Sequence, residues 1–325
     1  VLNRYYGHDD VPLGAYRGPV GMPTDNCQSP WGFWREPPMP PWQVGPYVGD
    51  MVANFPSLIR NASQAYDATA LLRIVLSAAQ PTSVTYVSVG YATNLLNLLE
   101  SGPDEISHLT GQELVSQKVK ELVIMAGRHD HTIDPGGSAE WNVAGATWIN
   151  SVCGDGGCGA HGNLGNITNR TLALWPRQTR LVFLDFETGV DVMTGDVLRE
   201  GAPESSPCRH AYGVFCWINQ GWCNRMDRCS WDIMALIYAV RGTEKLYTLE
   251  PGHNEVDPRT AYNRWTPAHN PTNSTLDTWT EFSLVLPPEM RAAVAQEISD
   301  LLLREPVAGQ RTPPPRPPPR PPRRF

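Results

Sequence analysis

The sequence predicts an α/β protein built on a doubly wound, mostly parallel sheet. Three short apolar runs, rich in β-branched residues, support this prediction. Runs of this length that end at turn signals are typical of strands buried on both faces, and such strands belong to parallel sheets covered by helices. The three runs are Val84–Val89, Leu122–Met125 and Leu181–Leu184.

A polar or glycine-bearing turn follows each of these runs, at residues 90–94, 126–128 and 185–189. In open parallel sheets, ligands bind in the crevice just beyond the carboxyl ends of the strands. We therefore expect the functional residues at or near these turns.

Helical segments separate the runs. Apolar residues at helical spacing predict helices over Asp67–Ala79 and Thr93–Leu99, and a shorter helix near residues 112–120. This alternation of strand and helix predicts right-handed crossovers. Further helices are expected over Trp231–Val240, which Gly242 would end, and from Pro287 to Leu303.

The composition limits the classes of function. The chain has 325 residues, with 26 basic and 33 acidic side chains and a net charge of -7, which argues against a general nucleic-acid binder. No stretch is long and apolar enough to span a bilayer. We expect one domain over residues 1–305 and a Pro/Arg-rich extended tail over residues 306–325.

Cysteines and glycosylation sequons favour a secreted, disulfide-bonded glycoprotein. The chain has seven cysteines, an odd number, so that one thiol would be free or bonded elsewhere. Disulfides are favoured over a zinc site because no tight C-x-x-C pair is present. Residues 151–171 are expected to form an inserted, glycine-rich surface loop with two cysteines and two sequons. The four candidate glycosylation sites are Asn61, Asn166, Asn169 and Asn273.

A few polar residues could carry chemistry. Glu140 and Asn142 are two apart, so in an extended segment they would point the same way and could clamp adjacent hydroxyls, as on a ribose. They could equally be polar loop residues. Asp232 begins a helix, where it or Ser230 could be an N-cap or Asp232 could bind a hard cation. The run His8-Asp9-Asp10 could be a metal cluster, although a structural loop is favoured.

Taken in order, several segments resemble the inosine/uridine-preferring nucleoside hydrolase family, and especially its fungal and plant-like branch. The likeness extends over about residues 1–245. The matching segments are NRYYG (3–7), DVPLG (10–14), DATALLR (67–73), SVTYVSVGYATNL (83–95), KVKELVIMAG (118–127), EWN (140–142), FETG (186–189) and SWD (230–232).

The resemblance implies a Ca²⁺ ion and cleavage of the N-glycosidic bond of ribonucleosides. The cation would hold the ribose diol and an attacking water, and a carboxylate would take the proton of that water. By matching position, Asp232 and the backbone carbonyl of Val89 would be calcium ligands. Glu140 and Asn142 would hold ribose hydroxyls, and Met125 would line the sugar pocket.

The chain departs from the family at important positions. The acidic DxDxxxDD segment, which supplies most calcium ligands and the general base, is absent, so the general base is not in this chain. Trp231 stands where the family has a histidine, as in the fungal and plant-like branch, so leaving-group protonation by this residue is not expected. Asp185 stands where the branch usually has glycine. After the EWN segment, the usual acidic residue is missing at Gly145.

Two hypotheses follow. In the first, the complete protein hydrolyses ribonucleosides with Ca²⁺, and this chain lacks an N-terminal segment, supplied by the same or another chain, without which it is inactive. In the second, the chain is a secreted structural or interaction glycoprotein that could self-assemble in the extracellular space and keeps the fold without catalysis. Asp232, one carbonyl and the diol clamp cannot fill the six to eight oxygen positions that calcium prefers.

Overall fold

The fold is centred on a six-stranded mixed sheet. In a computed structural model, residues 1–16, 50–51, 53–59, 62–129, 139–144, 164–218, 223–268 and 280–306 are described. The strand order is β10-β9-β11-β5-β4-β3, in which β3, β4, β5 and β11 are parallel and β9 is antiparallel to both its neighbours. The sheet strands are β3 Val84–Ser88, β4 Val119–Met125, β5 Arg180–Leu184, β9 Thr248–Val256, β10 Asn263–Pro267 and β11 Glu281–Val285.

Short strands, α-helices and two 3-10 helices make up most of the other regular structure in the described residues. The strands β1 and β2 pair in parallel, and β6, β8 and β7 form a small antiparallel sheet. The short strands are β1 Gly14–Ala15, β2 Tyr66–Asp67, β6 Met193–Thr194, β7 Cys223–Asn224 and β8 Asp227–Cys229. The helices are α1 Leu2–Tyr5, α2 Ala68–Ala78, α3 Thr93–Glu100, α4 Gly111–Lys118, α5 Trp141–Ala144, α6 Gly165–Leu174, α7 Phe186–Val190, α8 Leu198–Gly201, α9 Pro207–Ile218, α10 Trp231–Arg241 and α11 Arg291–Leu302.

Two hydrophobic cores lie on opposite faces of the sheet. Alternate residues of β4 show this division, since Leu122 and Ile124 join one core while Val123 and Met125 join the other. The first core packs the sheet against α2, α3 and α4, and the second packs it against α10 and α11. The three-layer arrangement confirms the predicted α/β class, and it explains why the central strands are apolar throughout.

The three predicted strands and the five predicted helices are present. Asp67 caps α2 through a bond that its side chain accepts from the N–H of Ala70, 2.9 Å away. Gly242 ends α10 with a φ of 71°, a conformation that glycine adopts without strain. None of the helices in the described residues combines the length and apolar character needed to cross a membrane.

Two local predictions were wrong. Residues 165–171 belong to helix α6 rather than to a surface loop, because Leu164, Thr168 and Thr171 share one buried helical face. The segment from Glu140 to Asn142 is not extended, because Trp141–Ala144 forms a helical turn. The rest of the expected loop, with Cys153 and Cys158, lies outside the described residues.

A disulfide is present between Cys216 of α9 and Cys223 of β7. Cys208 and Cys229 are free thiols, so the segment from Cys208 to Cys229 contains one bridge. Its only histidine, His210, bonds instead to Asp50. Cys27 and residues 307–325 of the expected tail lie outside the described residues.

Candidate active site at the carboxyl edge of the sheet

Glu140 anchors helix α5 to the end of β4. One carboxylate oxygen, Oε2, accepts bonds from the N–H of Gly127 at 3.0 Å and of Val143 at 3.2 Å. The other, Oε1, accepts from the N–H of Asn142 at 2.9 Å. Since Glu140 precedes the helical turn, its side chain satisfies N–H groups that have no partner within the helix. The carboxylate therefore lies at the carboxyl edge of the sheet, as expected, but in a capping role.

Asn142 and Met125 also meet at this edge. The Asn142 side-chain Nδ2 donates to the carbonyl of Met125 at 2.9 Å and lies 3.1 Å from its sulfur. Met125 is the last residue of β4 and is buried. The three predicted sugar-binding residues, Glu140, Asn142 and Met125, are thus brought together at the end of one strand.

Burial controls the ionisation of Glu140. Only 6% of the residue is exposed, and desolvation raises the pKa of its carboxyl to about 7. The three backbone donors lower the pKa, and the negative charge of Asp232 raises it again. A carboxyl in this range is present in both protonation states at neutral pH, so it can donate or accept a hydrogen bond with a ligand hydroxyl.

Asp232 lies in the first turn of α10, and its negative charge contributes to the raised pKa of Glu140. Its side chain does not cap the helix, and Ser230, the N-cap residue, makes no side-chain capping bond either. Asp232 lines an open cavity of about 260 Å³ beside Arg228 and Trp231. Burial raises the pKa of Asp232, and the charge of Arg228 acts in the opposite direction. Val89, which follows β3 at the same edge, is exposed.

The turn after β4 is held by a clamp, in which one asparagine side chain bonds to the backbone of the turn. The side chain of Asn263, on β10, accepts from the N–H of Arg128 at 2.7 Å and donates to the carbonyl of the same residue at 3.0 Å. It also donates to Asn254 Oδ1 at 2.9 Å. Gly127 has a φ of 96°, and a Cβ atom there would lie 2.7 Å from Asn263 Nδ2. The close approach requires glycine at this position.

A second set of polar residues supports the same turn. The Arg128 Nε donates to Glu187 Oε1 at 3.1 Å, and the N–H of His129 donates to Glu187 Oε2 at 3.0 Å. The turns after β4 and β5 are thereby joined. Asp185 caps helix α7 by accepting from the N–H of Thr188 at 2.9 Å, which explains a carboxylate where the resembled branch has glycine.

His129, Ser283 and Asp185 do not form a nucleophilic relay. The same ring nitrogen of His129, Nδ1, faces Ser283 Oγ at 2.9 Å and Asp185 Oδ2 at 3.5 Å. A Ser-His-Asp relay needs the two partners on different ring nitrogens. The ring also stacks on Trp265 with centroids 4.8 Å apart. This cluster therefore holds the turn in place.

The described residues do not by themselves fit a calcium ion. In this part of the chain, no three His, Cys, Asp or Glu side chains are placed to hold a metal. Asp232 and the Val89 carbonyl would supply two of the six to eight oxygens that calcium prefers. Asp9 of the His8-Asp9-Asp10 run pairs with Arg4 at 2.8 Å, as in a structural loop.

Sequence reasoning identified Glu140, Asn142, Met125, Asp232 and Val89 but missed the residues that support them. Arg128 and Glu187 lie in the turns that the strand pattern marked, although their pairing depends on the fold. Asn263 could not be recognised from the sequence, because it lies in a strand with few apolar residues. Arg228 lies two residues before the SWD segment but outside it, and its contact with Phe215 depends on the fold.

Comparisons with known proteins give a consistent structural result. No protein-family model matches the sequence, and no curated protein matches it. The plant nucleoside hydrolase PpNRh1 is structurally similar, with a TM-score of 0.58 and 16% identity over 93% of this chain and 83% of that chain. A purine-preferring ribonucleoside hydrolase from Gardnerella vaginalis has a TM-score of 0.56 and 14% identity over 93% of this chain and 84% of that chain.

An inosine-guanosine nucleoside hydrolase is also similar, with a TM-score of 0.52 and 17% identity over 92% of this chain and 84% of that chain. Sequence identity at this level shows a common architecture and not a common reaction. The three solved structures nevertheless agree with the resemblance found in the sequence segments. The chain has the fold of the nucleoside hydrolases.

Proposed function

We propose that the complete protein hydrolyses the N-glycosidic bond of ribonucleosides at the carboxyl edge of this sheet. The observation that carries the proposal is the position of Glu140. Its buried carboxylate is tied to the end of β4, adjoins Asn142 and Met125, and lies within the electrostatic reach of Asp232. The fold shared with nucleoside hydrolases supports the same conclusion.

In this proposal, each residue has a stated role. Glu140 and Asn142 bind ribose hydroxyls through a carboxylate and an amide, and Met125 forms an apolar wall under the sugar. To bind Glu140, a substrate hydroxyl must either displace one of the three backbone N–H donors or use a lone pair of the carboxylate that is still available. Asp232 and the Val89 carbonyl supply oxygen ligands to the cation that the resemblance implies. The described residues supply too few oxygen ligands to complete that cation site.

The acidic segment would be carried by an additional strand beside β3. In the described residues, β3 is the last strand of the sheet, and its outer edge has no partner strand. The carboxyl end of a parallel strand at that edge would lie next to Val89. An acidic turn following it would supply the missing general base and further oxygen ligands.

The test is release of free base from inosine and uridine, monitored by chromatography. Two proteins are compared in calcium-containing buffer: the 325-residue chain and a form extended upstream by the acidic segment. The proposal expects release by the extended form and none by the chain alone. Absence of release by the extended form, shown to be folded by its circular dichroism, would contradict the proposal.

A second candidate is a secreted structural or interaction protein that keeps the fold without catalysis. The favouring observation is that the described residues supply too few cation ligands, while Glu140 and Asn142 already have structural partners. This candidate predicts no calcium binding by either form in isothermal titration. Calcium binding by the extended form that is lost in Asp232→Ala would contradict it.

A further inference from the structure

A cavity of about 260 Å³ lies beside Asp232, between α9, the end of β8 and the start of α10. We call it the Arg228 cavity. Three aromatic rings and one cation are part of its lining. The residues relevant here are Tyr212, Phe215, Arg228, Trp231 and Asp232.

The guanidinium of Arg228 is held against aromatic faces. Its central carbon lies 3.9 Å from the centroid of the Phe215 ring and 6.0 Å from that of Trp231. Both distances are within the range of cation–π attraction. Because β8 is the middle strand of the small antiparallel sheet, the backbone that carries Arg228 is paired on both sides. The positive charge is therefore placed by the fold.

Trp231 forms a fixed wall of the cavity. Its indole nitrogen donates to the carbonyl of Phe186 at 2.7 Å, and its ring stacks on Phe186 with centroids 5.2 Å apart. A Cβ atom at Gly189 would lie 2.3 Å from the Trp231 ring, so this side of the ring is closely packed. The indole therefore keeps its orientation when a ligand enters.

The charge of Arg228 acts throughout the cavity. Burial raises the pKa of Tyr212 and Cys229, and Arg228 acts in the opposite direction on both. A negative charge placed among these residues would be stabilised in the same way. Asp232 is the opposing influence, because its carboxylate would repel an anion.

Aromatic walls and a fixed cation suit a flat, negatively charged ring. Planar rings stack on aromatic side chains, and a guanidinium pairs with an anion through charge and hydrogen bonds. Glycosidic cleavage by the proposed function produces such a group. The oxygen of water forms a bond to C1′ while one proton of that water passes to the general base of the acidic segment. The bond from C1′ to the base nitrogen breaks, and its electron pair leaves with the base. The base is then an anion until a proton from water reaches it.

We propose that Arg228 stabilises the departing nucleobase as an anion, and that its cavity binds planar anionic heterocycles. The inference rests on the proposed function and adds a leaving-group residue to it. Trp231, at the position where the resembled family has a histidine, has no titratable proton to give. Charge stabilisation by Arg228 compensates for that loss, with the proton supplied later by water.

Equilibrium binding to the 325-residue chain tests the inference without requiring turnover. The probes are urate, a purine that is an anion at pH 7.5, and hypoxanthine, a purine that is mostly neutral there. Calorimetry at low salt should show urate binding at least about tenfold more tightly than hypoxanthine. Arg228→Met removes the charge and the N–H donors of the guanidinium and keeps an unbranched apolar chain. It should abolish this preference and leave hypoxanthine affinity within about threefold.

Two further variants and a salt titration separate charge from folding. Arg225→Met removes the same charge from the turn between β7 and β8, outside the cavity, and should leave the preference intact. Asp232→Asn should strengthen urate binding, because it removes the repelling carboxylate. Added salt should weaken urate binding and not hypoxanthine binding.

Equal affinity for the two purines in the unmodified chain would overturn the inference, as would a urate preference that survives in Arg228→Met. These outcomes, together with base release by the extended protein, would leave the proposed function standing and remove only the role of Arg228. Absence of base release would instead overturn the proposed function, whatever the purine affinities.

Discussion

The Glu140 carboxylate accepts a hydrogen bond from the backbone N–H of Gly127, 3.0 Å away. This bond joins a helical turn to the end of the central strand β4, and it fixes a buried carboxyl beside the crevice. Gly127 itself is held by its close approach to Asn263. The geometry of the proposed sugar site therefore depends on a turn that is fixed from both sides.

The ionisation of Glu140 should make stability depend on pH. Its pKa is raised from 4.5 to about 7 in the folded protein, so the folded state binds more protons than the unfolded state between these values. The stabilisation is complete below pH 4.5 and is lost as pH rises through 7. Relative to Glu140→Gln, which cannot ionise, we expect the unmodified chain to lose about 2–3 kcal/mol of unfolding free energy between pH 4.5 and pH 8.

Urea denaturation at a series of pH values measures this difference. Glu289→Gln, a change at an exposed position, is the matched control and should follow the unmodified chain. Parallel pH profiles for the unmodified chain and Glu140→Gln would show that the carboxyl is not desolvated.

Gly127→Ala should destabilise the turn after β4. The new methyl group would meet the Asn263 side chain at 2.7 Å, in a backbone conformation that alanine adopts poorly. We expect a loss of about 2–3 kcal/mol of unfolding free energy. Gly90→Ala is the control, because a Cβ atom there meets nothing within 4 Å. Equal stability of the two variants in thermal unfolding would disprove the clamp.

Arg73 should be among the most important stabilising residues outside the site. Its buried guanidinium donates twice to Asp104, at 2.7 and 2.9 Å, and also to Ser101 and to the carbonyls of Ser107 and Leu109. Arg73→Met leaves these acceptors without their donor and should cost about 2–3 kcal/mol.

The exposed pair of Arg264 with Glu255 provides the comparison for Arg73. Arg264→Met should change the free energy of unfolding by less than about 0.5 kcal/mol, because surface ion pairs contribute little. If both substitutions had the same small effect in urea denaturation, Arg73 would not anchor the segment from Ser101 to Leu109.

The two glycosylation sequons in α6 should behave differently. Asn166 is exposed, whereas Asn169 donates its side-chain nitrogen, the atom that glycosylation modifies, to the carbonyl of Val256 at 2.8 Å. After expression through a secretory pathway, peptide mapping should find glycan on Asn166 and little on Asn169. Full occupancy of Asn169 in folded protein would contradict this expectation. Asn61 and Asn273 lie outside the described residues.

The central strands could be predicted because a strand that is buried on both faces consists of consecutive apolar residues, which are visible in the sequence. The strands β9, β10 and β11 could not be predicted in this way. Strand β9, for example, contains Pro251 and Gly252 and also buries the polar Asn254. Asn254 is bonded to Asn263 on β10, so its burial depends on a neighbour nine residues away. The local pattern of apolar and polar residues does not predict such a pair between two strands.

The candidate site could be predicted only in part for a similar reason. Strand ends marked the turns that contain Gly127 and Glu187, and the family resemblance marked Glu140 and Asp232. The helical turn at Trp141–Ala144 contradicts the extended geometry inferred from spacing, because the Glu140 carboxylate caps that turn. The position of Arg228 against Phe215 depends on the packing of β8 against α9.

The central claim is that Glu140 and Asn142 hold the ribose at the end of β4. The most direct measurement is kcat/KM for inosine in the extended protein, compared with that of Glu140→Gln and Asn142→Ala and with Glu289→Gln as control. We predict that each site variant loses about 100-fold in kcat/KM while the control is unchanged. Site variants that retain kcat/KM within about threefold of the unmodified protein would contradict the claim.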